Sequence, residues 1–282
     1  MPTGSQSTTV DTADRLRQLQ TDGFCMFDAV IPADKVEAIR DSVVVTTDRM
    51  FRENPDDYLG VSHLPGLTAF DQSFSAYVGD PRIIELAETL WGPPIRISNT
   101  SATINEAGKP RGKWHADVPF NQNNAGRIPA PYPDACIHLT TLFMLSPFTE
   151  ANGGTLVVPG SHRSSDNPTS DMGVDPLEPY PTEYLVTGAA GDVVLFDSRL
   201  WHSPNVNSSS ERRVAIAIRY APWWFNLDMF RPGPGIREDL VQLSGNGQKG
   251  VPLLSQQAFD NLAYSAKPLY RHWVEAGVDT GN

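Results

Sequence analysis

Apolar positions recur at helical spacing near both ends of the chain and at strand spacing between them. Asp11 to Gln20 carries Leu16 and Leu19 on one face, with Gly23 placed to close the helix. Pro32 opens a second stretch with Val36, Ile39 and Val43 at helical period, a first turn being the place where proline is tolerated. Asp80 and Pro81 form an N-cap and first-position pair for a helix carrying Ile83, Ile84, Ala87 and Trp91, which Gly92 should stop. Phe259, Leu262 and Ala263 predict a helix near the C-terminus, and Pro268 should break or kink it before Leu269 to Trp273.

The middle of the chain reads as strands. Ile95 to Ile104 alternates weakly, and Ala135 to Leu145 is rich in β-branched and apolar residues. Thr155 to Val158, Asp192 to Phe196 and Arg213 to Tyr220 follow, set off by a high content of glycine (22) and proline (24). The expectation is a β-rich core with flanking N-terminal and C-terminal helices. Three connections are long: Asn121 to Asp134, Ser164 to Pro181 and Pro222 to Val251. Connections of that length in a compact domain often wall a pocket.

Composition narrows the function classes. The 282 residues include 22 Lys plus Arg and 33 Asp plus Glu, a net charge of −11. That excludes the basic surface on which nucleic acid and anionic membrane depend. No apolar run is long enough to span a membrane, and the N-terminus lacks a secretory pattern, so a cytoplasmic protein is the expectation. Residues 1–10 read as a disordered tail and residues 11–282 as a single domain. Two cysteines, Cys25 and Cys136, cannot build a disulfide framework or a cysteine-rich metal site. Metal ligands would therefore come from the six histidines and the carboxylates.

The segment Trp114-His115-Ala116-Asp117 supplies candidates. In a strand, residues two apart share a side, so His115 and Asp117 would present an imidazole and a carboxylate to one point. His202 could complete a set of two histidines and one carboxylate, the facial triad of non-haem Fe(II) oxygenases, which leaves positions open for other ligands. Arg213 follows His202 by eleven residues at the start of a strand. A buried arginine there requires an anionic partner, and its planar fork suits a carboxylate. Its neighbour Arg212 competes for the role, since alternation puts one of the two inside.

Four segments together carry a resemblance. They are Trp114 to Asp117, Thr149 to His162 (TEANGGTLVVPGSH), Gly188 to Phe196 (GAAGDVVLF), and Trp201-His202 through Arg219-Tyr220. In order and spacing the chain resembles the phytanoyl-CoA dioxygenase family of Fe(II)/2-oxoglutarate-dependent oxygenases, from about Leu16 to Tyr220. The resemblance implies a double-stranded β-helix, the jelly-roll core shared with cupins. It implies iron bound by His115, Asp117 and His202, the distal carboxylate of 2-oxoglutarate held by Arg213, and O2 as a further cosubstrate. Ser203 stands where some relatives place a hydroxyl for the cosubstrate. Leu142 stands where many place a tryptophan that contacts it, which leaves the remaining cosubstrate contacts open. Halogenating relatives lack the carboxylate, so Asp117 favours hydroxylation or another oxidative outcome.

The implied activity is oxidation of a small organic metabolite coupled to decarboxylation of 2-oxoglutarate to succinate and CO2. The alternative is a metal-binding cupin-like binding protein or isomerase without oxygenase activity. Neither the substrate nor the oligomeric state follows from these motifs. Of the other histidines, His162 reads as structural, His138 as a satisfied core or pocket residue, and His63 and His272 as surface. Cys25 and Cys136 read as small buried hydrophobes. Gly153 and Gly154 read as a tight turn. Lys109, Arg111 and Lys113 read as a solvated basic loop, and Trp223, Trp224 and Phe225 as either a pocket wall or a packing cluster.

Overall fold

The computed structural model describes residues 11–55, 63–118, 134–164, 168, 175–232 and 250–281. The expected tail and most of the three long connections lie outside these residues. Helix α1 (Thr12–Thr21) is capped by Asp11, whose side chain accepts from the Asp14 amide. Strand β1 (Phe24–Phe27) follows, then α2 (Ala33–Glu53), which buries Val36, Ile39 and Val43. Pro32 is the N-cap of α2, one position ahead of the first turn. Further on come β2 (His63–Pro65), the short α3 (Ser75–Val78) and α4 (Pro81–Trp91). Asp80 caps α4 by accepting from the Arg82 amide at 2.9 Å, which satisfies one of the donors a helix start leaves unpaired.

Seven more strands complete the core: β3 (Ile95–Asn105), β4 (Leu139–Met144), β5 (Thr155–Val157), β6 (Tyr184–Val186), β7 (Val193–Asp197), β8 (His202–Pro204) and β9 (Arg213–Pro222). They form two antiparallel sheets, a six-stranded one in the order β1-β7-β4-β9-β3-β2 and a three-stranded one in the order β6-β5-β8. Near the C-terminus, α5 (Gln256–Asp260) and α6 (Lys267–Tyr270) are separate helices. Pro268 lies in the first turn of α6, so it starts a helix rather than breaking one.

The larger sheet is buried on both faces, and period-two alternation sorts its side chains. On β9, Val214, Ile216, Ile218 and Tyr220 face outward into the core shared with Val36, Ile39, Val43, Leu86 and Phe259. Ala215 and Ala217 face inward with Leu142 and Met144 of β4 and Val194 and Phe196 of β7. Burying an isoleucine of that outer face contributes roughly 1.5–3 kcal/mol, so the outer residues fix the register. The inner positions Arg213, Ala215, Ala217 and Arg219 are then spaced by small side chains. Two alanines where the outer face carries isoleucines leave room for a cavity, and the functional site occupies it.

Candidate metal centre

The cavity has a volume of about 390 Å³. One wall is the inner face of the larger sheet, where strand register lines residues up in rows. Leu142, Ala217, Ser101 and Pro65 are successive cross-strand partners, as are Thr103 and His63 on β3 and β2. Thr140, Arg219 and Asn99 form another row. All nine of these side chains line the cavity, together with Asn105, Lys109, Thr155, Pro204, Phe230 and the candidate ligands.

His115, Asp117 and His202 each offer a ligand atom, and these atoms all lie within 4.8 Å of one another. Their convergence has a different origin from the one spacing predicts. The segment around His115 is not a strand. His115 forms an isolated two-way bridge with His202, through amide-to-carbonyl bonds of 3.0 and 2.9 Å. The amides of Asp117 and Val118 then both donate to the Ser198 carbonyl, at 2.7 and 3.0 Å. This turn swings the Asp117 carboxylate beside the imidazoles, with Oδ2 4.0 Å from Nε2 of His202.

Each imidazole is oriented by its own backbone. Nδ1 of His115 donates to the Lys113 carbonyl at 3.0 Å, and Nδ1 of His202 donates to the Leu200 carbonyl at 2.9 Å. That fixes the tautomer and leaves both Nε2 lone pairs for a metal. Burial, reinforced by neighbouring His115, lowers the His202 pKa to about 4, so the ring is neutral at pH 7. Burial opposes ionisation of Asp117, but the charge of Arg219 and its two hydrogen bonds outweigh it. The carboxyl is held well below the usual carboxylate range. Two imidazoles presenting Nε2 and one carboxylate, converging on one point, fit an octahedral divalent metal with positions to spare.

Arg219 grips Asp117 with two parallel bonds, Nε to Oδ2 and Nη2 to Oδ1, both 3.0 Å. Thr140 adds a third, donating to Oδ2 at 2.8 Å. Neither Arg219 nor Thr140 was singled out by sequence. The family resemblance selects Arg213, and once it points inward the period-two alternation of β9 also points Arg219 inward, which was the available signal.

Arg213 is 4% exposed and lies over the ring of Phe148 at 4.5 Å. Its Nε has no hydrogen-bond partner, and burial lowers its pKa to about 10. No carboxylate among the described residues pairs with it. Arg212 points outward and is ion-paired to Asp48 and Glu106, each at 2.9 Å. A buried guanidinium facing a cavity without an internal counter-ion is costly unless a ligand supplies one. That observation fits a cosubstrate with a free carboxylate.

Other expectations meet mixed outcomes. Ser203 lies between His202 and Pro204 on β8, so alternation turns it from the cavity, and its hydroxyl donates to the Gly112 carbonyl at 2.8 Å. His63 is not a surface residue. It is half-buried on the cavity wall, and burial, with Arg219 nearby, lowers its pKa to about 4. His272 also packs inward, its Nε2 2.7 Å from the Ile97 carbonyl. His162 ties a turn to the Gln20 carbonyl at 3.2 Å, and His138 is buried in hydrogen bonds. Cys25 is buried and Cys136 half-buried. Gly153 has a positive φ of 78°, and a side chain there would strike Asn105, so the turn requires glycine. Of the basic run, Lys109 lines the cavity and Arg111 pairs with Glu183 at 2.6 Å. Trp223 and Trp224 are 57% and 51% exposed and line no cavity wall among the described residues, whereas Phe225 packs against the core beside His138.

A jelly-roll core with two histidines and one carboxylate converging in its mouth defines a class of metal-dependent oxygenases. The sequence profile of the phytanoyl-CoA dioxygenase family matches residues 19–215. The chain belongs to that family of Fe(II)/2-oxoglutarate-dependent oxygenases, which work with Fe(II), 2-oxoglutarate and O2. It is similar to the dioxygenase af480 of Aspergillus fumigatus, at 30% identity over 57% of this chain and 48% of the relative. The match thus spans about half the length of that relative. An ectoine dioxygenase of Bordetella parapertussis is 25% identical over 74% of this chain and 75% of its own. Among solved structures, HygX of Streptomyces hygroscopicus, with nickel and 2-oxoglutarate bound, shares the fold. Its TM-score is 0.56 at 19% identity, covering 80% of this chain and 92% of that one.

Proposed function

We propose that this protein is a dioxygenase that hydroxylates a small organic metabolite, coupled to decarboxylation of 2-oxoglutarate to succinate and CO2. The observation that carries the reading is the pairing, on one cavity, of the His115, Asp117 and His202 cluster with a buried arginine that has no counter-ion among the described residues. His115 and His202 would hold iron through Nε2 and Asp117 through a carboxylate oxygen. Iron with 2-oxoglutarate and O2 bound supplies the oxidising power directed at a substrate C–H bond. Arg213 receives the distal carboxylate of 2-oxoglutarate in its fork, and Leu142 and Ala217 leave an apolar passage between that fork and the metal. Ser203 has no cosubstrate contact in this reading, its hydroxyl being committed to Gly112.

Substrate positioning falls to the uncharged polar strip on β3 and β2. Buried atoms Oδ1 of Asn99 and Oγ of Ser101 have no partner among the described residues, so they are available to a ligand. A cavity of about 390 Å³ that must also hold the cosubstrate suits a small hydrogen-bonding molecule. Asp117 occupies the position that halogenating relatives leave to chloride, which supports oxygen transfer. A metal-binding protein without oxygen chemistry would gain nothing from the buried Arg213. No helix among the described residues is long and apolar enough to cross a membrane.

The test is anaerobic addition of Fe(II) and 2-oxoglutarate. A visible charge-transfer band is expected, absent from His115→Ala, with succinate formed on admitting O2. No band and no succinate would overturn the reading. A panel of metabolites scored by succinate release then identifies the substrate.

A further inference from the structure

Beneath Asp117 runs a buried line of hydrogen bonds. Thr140 Oγ1 lies 2.8 Å from Asp117 Oδ2 and 2.8 Å from Ser198 Oγ. Ser198 Oγ lies 2.7 Å from Nδ1 of His138, whose Nε2 lies 2.7 Å from Ser98 Oγ. Ser98, His138, Thr140 and Ser198 are all buried, none more than 1% exposed.

Counting protons fixes the direction of this line. A hydroxyl has one proton to give, and an ionised carboxylate only accepts. Thr140 therefore gives its proton to Asp117. Ser198 must then donate to Thr140, and His138 donates Nδ1–H to Ser198. Nε2 of His138 is left to accept from Ser98. Every donor points toward Asp117, and the histidine tautomer is set by an anion three hydrogen bonds away. Burial lowers the His138 pKa to about 3, in keeping with a single ring proton at pH 7.

We propose that Ser98, His138, Ser198 and Thr140 form a positioning relay that fixes the orientation of Asp117 toward the metal, with Thr140 as its terminal donor. The inference rests on the iron-site reading above. Thr140 touches the ligand carboxylate and acts through it, so it is a positioning residue. Arg219 holds the same carboxylate, but its charge also repels a divalent cation, and removing it would release two opposing effects. Thr140 is neutral and contributes only the orienting one, which makes it the discriminating position.

Fe(II) is titrated anaerobically into metal-free full-length protein by calorimetry, for the unaltered chain and for Thr140→Val, Thr140→Ser and Ser198→Ala. Thr140→Val keeps the shape and removes the donor, and it should weaken Fe(II) binding about tenfold. Thr140→Ser restores the donor and should bind within about threefold of the unaltered protein, with Ser198→Ala between the two. The charge-transfer band of the Fe(II)–2-oxoglutarate complex should shift in Thr140→Val and return in Thr140→Ser, an outcome that a merely structural threonine would not give. Thr140→Val binding within twofold of the unaltered protein, with an unmoved band, overturns the relay. Should that variant not fold, Ser198→Ala binding within twofold overturns it instead. Failure of the unaltered protein to bind Fe(II) overturns the iron site itself, a distinguishable result.

Discussion

Two arginines stand on the same face of β9, and the protein treats them in opposite ways. Arg219 is matched to Asp117 by two bonds of 3.0 Å. Arg213 is the more deeply buried, yet it lies over the Phe148 ring and, among the described residues, its Nε has no partner. The first is a finished interaction that holds a ligand in place. In the proposed reading, the second is half of an interaction whose other half arrives with a small molecule. Burial alone does not separate structural from functional charge here, but the presence or absence of an internal counter-ion does.

The largest effect should come from the finished end. Asp117→Ala removes a proposed metal ligand, and 2-oxoglutarate turnover should fall at least about a thousandfold, with Fe(II) binding lost in calorimetry. At the open end, Arg213→Gln should raise the KM for 2-oxoglutarate about a hundredfold while Fe(II) affinity changes little. Equal losses of iron affinity in both variants would erase the distinction between the two ends.

Stability sharpens the comparison through its sign. Arg219→Met strands the Asp117 carboxylate and should cost about 3 kcal/mol in urea unfolding of the metal-free protein. Arg213→Met removes a buried charge that has no partner, so the same measurement should show no loss or a gain.

Acid should act through the buried neutral histidines. Burial lowers the pKa of His138 to about 3 and of His272 to about 4. The unfolded chain takes up protons below pH ~6.5 while these folded rings do not. Stability is therefore fully present above pH ~6.5 and is lost as pH falls toward the folded values, by roughly 1.4 kcal/mol per pH unit for each ring. Urea midpoints of metal-free protein between pH 7.5 and 5 would measure this, and a flat profile would contradict it. The smallest effect belongs to the outward neighbour: Arg212→Ala loses only exposed ion pairs and should cost no more than about 1 kcal/mol, with turnover unchanged.

Much of this was visible in the sequence. The helices that start at Thr12, Ala33 and Pro81 and the expected strands Ile95 to Ile104 and Arg213 to Tyr220 lie nearly in place, because β-branched and apolar runs mark strands buried on both faces. The three-residue strands His63–Pro65, Tyr184–Val186 and His202–Pro204 were missed, since three residues cannot display a period and tertiary pairing creates them. The candidate ligands were found, but not the reason they meet. His115 and Asp117 converge through a bridge to His202 and a turn on Ser198, contacts across distant parts of the chain. His63, Thr140 and Arg219 were missed for a related cause. Each is marked only by the register of the strand beside it.

The spacing of the two arginines has a consequence for how the chain could change. Side chains alternate along a strand, so one residue inserted between Arg213 and Arg219 would turn one of them into the outer core and leave the other at the cavity. The strand thus tolerates change in steps of two, and each step also moves the anchor along the cavity relative to the metal. Loops around the mouth can lengthen or shorten to suit new substrates. The span between the two arginines is counted out by the pleat, and under the proposed role of Arg213 it ties this scaffold to a cosubstrate of one length.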